Sequence, residues 1–181
     1  MQKKLSFLSM ATSIALILSV NANAADGTIT ISGEVTDTTC DIAVNGGTAD
    51  ATVTLPTVSA STLTTSGETA GTTPFSIALS GCSGTTLNTA TTWFESGSNV
   101  DSTTGRLTNT GTAENVQVQL LNSDLGTIVA GGTSGSTDQN DVAVDISGGS
   151  GTLNYYAQYY ALGASSAGTV LTSVDYTIVY E

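Results

Sequence analysis

From residue 29 onward the chain is a series of short runs in which apolar residues take every second position. Ile29, Ile31 and Val35 alternate with Thr30, Ser32 and Glu34, and Gly33 falls in the apolar parity. Val53 and Leu55 make a shorter run, and Phe75, Ile77 and Leu79 lead into Gly81 and Cys82. Val116, Val118 and Leu120 alternate with Gln117 and Gln119, and Val142, Val144 and Ile146 with Ala143 and Asp145. A period of two predicts strands, each with one buried and one solvated face. The stretches 61–73, 83–92 and 130–140 are rich in Gly, Ser and Thr and read as loops. Neither a helical period nor a solenoid repeat is visible, so the expected fold is an all-β sandwich or barrel.

Two runs near the end carry more information. Leu153, Tyr155, Ala157, Tyr159 and Ala161 share one parity, but Tyr156, Tyr160 and Leu162 between them are also apolar. A strand apolar on both faces is central or covered by a partner. The last run, Val174, Tyr176, Ile178 and Tyr180, continues to the final residue Glu181, which predicts a terminus built into a sheet.

The first residues have a different character. Lys3 and Lys4 precede an apolar run over 5–20, and Ala22, Asn23 and Ala24 supply small residues at a cleavage position. This predicts a secretory signal removed after residue 24, with the mature protein outside the cytoplasm. The remaining 157 of 181 residues suit one domain. All 15 acidic residues lie in that part, against the single cation Arg106, giving it a formal charge of −14. Such a surface repels nucleic acid and anionic lipid. It also makes copies of the chain repel one another, so any polymer must gain its stability from burial and backbone pairing.

Cys40 and Cys82, an even pair in an exported chain, are expected to form a disulfide. The closed loop of about 43 residues would stabilise the fold by roughly 4 kcal/mol. A redox or metal role is disfavoured by the absence of histidine and of a C-x-x-C spacing. No nucleophile or metal-protease motif is present, and one cation is little with which to stabilise an anionic transition state. Asp138 with Asp141, or Asp37 with Asp41, could pair as acid and base or bind calcium, but turn formation explains them more simply. The expectation is a protein without enzymatic activity, metal or cofactor.

Both ends of the chain resemble the chaperone-usher fimbrial subunits of the type 1 and type 3 families. The start at Ala25-Asp26-Gly27, the alternation through Val35, and Cys40 resemble the family's N-terminal extension and first strand. Tyr155-x-Ala157-x-Tyr159, then Gly163, Gly168 and the alternation closing on penultimate Tyr180 resemble its C-terminal pattern. Cys40 and Cys82 fall where the family's disulfide falls.

The resemblance implies an incomplete immunoglobulin-like β-sandwich lacking its last strand, completed by a donor strand from a chaperone or a neighbouring subunit. Residues 25–36 would be the donor extension and 37–181 the pilin domain. Gly27, Ile29, Ile31, Gly33 and Val35 would form the donor face. Gly168, Val174, Tyr176, Ile178, Tyr180 and Glu181 would provide the acceptor groove and chaperone contact. Implied partners are a periplasmic pilus chaperone, an outer-membrane usher and other pilins; the implied location is the surface fimbria, with a role in cell adhesion. Two alternatives stand beside this reading. Ile29, Ile31 and Val35 could be an ordinary first strand of their own domain. The protein could instead be a secreted carbohydrate-binding module, with Trp93-Phe94 or the tyrosines of 155–160 stacking on sugar rings.

Overall fold

A computed structural model describes residues 29–33, 35–84, 87–132 and 138–181. The proposed signal and Gly27 lie outside the described residues. The chain divides into two units, Met1–Glu34 and Val35–Glu181. In the first, residues 29–33 form no strand, and Ile29 and Ile31 are 90% and 92% exposed.

Among its described residues the second unit contains eight strands: β1 (Thr39–Val44), β2 (Thr69–Ser83), β3 (Thr89–Phe94), β4 (Leu107–Thr108), β5 (Val116–Leu121), β6 (Val144–Asp145), β7 (Gly151–Ala161) and β8 (Tyr176–Tyr180). They form one sheet of order β1-β2-β7-β5-β4 and another of order β6-β3-β8, all pairs antiparallel. The alternating apolar residues meet between the sheets: Ile77, Leu79, Leu153 and Tyr155 from the first pack with Ala90, Phe94 and Ile178 from the second. The Tyr155 ring lies 5.4 Å from Phe75 and 5.3 Å edge-on to Phe94. Cys40 and Cys82 are disulfide-bonded and join β1 to β2.

β7, expected to be central or covered, occupies the centre of the larger sheet between β2 and β5. Asn45 and Gly46, both with positive φ, reverse the chain after β1, and Gly47 N donates to Val44 O at 2.9 Å.

Several expectations from the pattern need correction. The stretch 83–92 is not all loop, because β3 begins at Thr89. Similarly, 61–73 contains the start of β2. Of the run 142–146 only Val144 and Asp145 pair as a strand. The polar face of β5 is not wet: Gln117 and Gln119 are 5% and 7% exposed. A hydrogen-bonded row buries this face, in which Thr72 Oγ1 donates to Gln158 Oε1 (2.7 Å) and Gln158 Nε2 to Gln119 Oε1 (2.8 Å). Paired amides can be buried where solitary ones cannot.

Candidate functional site: an open groove with two unpaired walls

Val53 and Leu55 lie on an extended segment, residues 51–58, that belongs to neither sheet. Among the described residues, no backbone group of this segment has a backbone hydrogen bond. Opposite runs the stretch 165–175, which leads into β8. Between the two lies a cavity of about 540 Å³ continuing into a second of about 400 Å³, with Tyr159 and Val170 lining both. The floor is the core itself, including Phe75, Ile77, Val118, Leu120 and Ala157. Among the described residues, none that lines either cavity is charged.

The backbone of the second wall is satisfied on one side only. Thr169 O and Leu171 O accept from Ala113 N (3.0 Å) and Thr110 N (2.8 Å), and Asp175 O accepts from Glu95 N (2.8 Å). The Thr169 and Leu171 amides donate to Thr112 Oγ1 and Asn109 Oδ1. In extended chain, successive residues point their polar backbone groups to opposite sides. Val170, Thr172 and Val174 therefore turn theirs toward the groove, and none has a partner among the described residues. β8 is likewise the edge of its sheet. The site is a slot, apolar below and lined on both sides by unpaired backbone, and one extended chain could satisfy both walls.

The candidate acceptor residues divide between the slot and its support. Val174 and Tyr176 line the larger cavity and Gly168 the smaller. A Cβ at Gly168 would lie 2.6 Å from the Thr112 carbonyl carbon, so glycine permits the wall to approach residues 112–113. Ile178 faces the core, 9% exposed. Tyr180 does not line either cavity; its hydroxyl accepts from Cys40 N at 3.1 Å. Glu181 is tied in: its backbone oxygen accepts from Asn88 N and Thr89 N, both at 2.9 Å. Burial pushes the hydroxyls of Tyr159 and Tyr176 above their ordinary pKa, with Asp50 adding to the effect at Tyr176.

The sequence reading missed Val170, Thr172 and the whole wall 51–58. Val170 and Thr172 extend the parity of the last run backward, a signal that was present. Segment 51–58 had only the Val53 and Leu55 alternation, which does not distinguish a paired strand from an unpaired one. Asp141 is structural: its Oδ2 accepts from Thr92 N (2.7 Å) and Tyr155 Oη (2.9 Å). Phe94 is buried beneath Tyr155, which removes the proposed Trp93-Phe94 sugar platform.

Comparisons with known proteins agree with this geometry. The family model of type-1 fimbrial protein, A matches residues 55–181. The major fimbrial subunit SMF-1 of Stenotrophomonas maltophilia (strain K279a) is 50% identical over 166 residues, covering 88% of this chain and 95% of that protein. The F17 fimbrial protein of Escherichia coli is 45% identical over 91 residues, about half of each chain (49% and 50%). Among solved structures, a chaperone-usher pilus subunit superposes with a TM-score of 0.57 at 21% identity, covering 87% of this chain and 96% of its own. The incomplete immunoglobulin-like sandwich is thus the pilin fold. The chain belongs to the type-1 fimbrial protein family and is a structural subunit of a surface fimbria. The carbohydrate-module alternative is not favoured.

Proposed function

We propose that copies of this chain polymerise by strand donation, residues 27–35 of one copy filling the groove of the next, and act without catalysis. The observation that carries the reading is the unpaired backbone at Val170, Thr172 and Val174, facing an equally unpaired segment 51–58 across an apolar floor. The exposure of Ile29, Ile31 and Val35 supports a donor role over that of an ordinary first strand, in which they would be buried. An uncharged groove suits a subunit whose residues 25–181 carry a formal charge of −14, because apolar burial and backbone pairing are not opposed at the site itself. Before assembly the same slot would expose core and sheet edge to water, which calls for a periplasmic chaperone strand that an outer-membrane usher exchanges for the next subunit's donor.

The test is the double substitution Ile29→Asp with Ile31→Asp. It places two carboxylates in an apolar slot, at a cost of several kcal/mol. Chaperone-bound subunit in periplasmic extracts is expected near the wild-type level, with surface polymer lost. Equal loss of both would show that residues 29 and 31 serve their own domain, and the reading would fail.

A further inference from the structure

Arg106 is the one cation after residue 4, in a chain with 15 acids. It lies just before β4, the edge strand of the larger sheet. Its side chain is held in place: Nε donates to Gln117 Oε1 at 2.8 Å, and the guanidinium carbon sits 4.0 Å from the centre of the Tyr160 ring. Gln117 is buried and fixed in turn by Asp101, whose Oδ2 accepts from Gln117 Nε2 at 3.2 Å. Asp101 also accepts from Thr103 N at 2.9 Å, so the loop that carries Arg106 is braced at both ends.

This arrangement uses one guanidinium nitrogen and one face of the group. The two terminal nitrogens have no hydrogen-bond or ion-pair partner among the described residues. A guanidinium fork held by its stem and one face is pre-organised for two-point binding of a carboxylate. The chain's net charge repels a free anion approaching from solution. A carboxylate already tethered close by, on a neighbour held through another contact, meets a much higher effective concentration.

We propose that Arg106 docks a carboxylate of a second copy of this chain, forming a lateral contact in the fibre separate from strand donation. The inference rests on the fibre reading above. Every neighbouring copy carries the required group, and the one cation would offset the mutual repulsion of the acidic subunits at a defined point.

Sheared fibres of wild type, Arg106→Gln and Arg106→Lys are compared by two measurements. Unboiled gel ladders report strand-donated chains, and fibre stiffness in electron micrographs reports lateral contact. Absence of a wild-type ladder would overturn strand donation itself. With that ladder present, all three proteins are expected to give it equally. Arg106→Gln fibres are expected to be about twofold or more less stiff in low salt, with Arg106→Lys intermediate. Wild-type fibres should soften toward the Gln variant in about 1 M NaCl, where the screening length is ~3 Å. One Asp or Glu amidation should reproduce the Arg106→Gln phenotype, and exchanging the two charges between the positions should restore stiffness. Unchanged stiffness in Arg106→Gln, or softening that follows a lowered Tm of the isolated subunit, would overturn the proposal. So would Arg106-dependent binding of an acidic glycan by monomer with stiffness unaltered.

Discussion

The Tyr176 hydroxyl donates to the carbonyl oxygen of Ala49 at 2.8 Å, tying the beginning of β8 to the chain just ahead of the opposite groove wall. The bond spans 127 residues of sequence and sets the separation of the walls at one end. Tyr176→Phe keeps the ring in the cavity and removes only the tie. A subunit lacking residues 25–36 should still bind a peptide of residues 25–37, about fivefold more weakly, as expected for one net hydrogen bond of ~1 kcal/mol. Titration calorimetry on both proteins checks this, and equal affinities would mean that the tie does not set the slot width.

Gly168 is required by close approach, with the backbone of residues 112–113 occupying the space a side chain would need. Gly168→Val should destabilise the peptide-completed subunit by about 1–3 kcal/mol, the usual range for overpacking. Urea unfolding of the completed subunit measures it. A variant as stable as wild type would show that the neighbouring loop moves aside freely.

Tyr155 is 1% exposed, and burial, with the Asp141 carboxylate adding to it, pushes its hydroxyl well above the ordinary tyrosine value. A raised pKa means that the folded state keeps its proton while an unfolded tyrosine loses it above about pH 10. This contribution to stability is therefore complete below pH 10 and falls as the pH rises beyond it, by up to ~1.4 kcal/mol per pH unit. Tyr155→Phe should be less stable than wild type at pH 7 by about 1–3 kcal/mol, having lost the bond to Asp141. Between pH 10 and pH 12 it should lose less stability than wild type does. Parallel alkaline unfolding curves for the two proteins would contradict the assignment.

Deleting Tyr180 and Glu181 removes the acceptors of the Cys40, Asn88 and Thr89 amides, each bond worth about 1 kcal/mol. Periplasmic subunit and surface fibre should decline together, measured on the same cells. That pattern differs from the Ile29 and Ile31 substitutions, which should spare the subunit. Normal fibre yield after truncation would mean that the last two residues are dispensable to the sheet.

The strands were legible where alternation was strong and both neighbours were paired, as in β2, β5 and β7. β3 was hidden because Thr89, Ala90, Thr91 and Thr92 carry little hydrophobic contrast, and their strand state comes from pairing with β8. The buried glutamines of β5 misled for a related reason: an amide side chain reads as solvated until its partner on the adjacent strand is known. The alternation of residues 29–35, the last run and the cysteine pair were read from local sequence.

By itself the sequence determined the all-β character, the disulfide partners and the parity of the last run, because a period of two and a cysteine count are local properties. Only the tertiary structure decided that residues 51–58 and 170–174 face one another across an open floor. Their alternation is the same whether a strand has two neighbours or one, and which backbone groups remain unpaired depends on where distant segments come to rest.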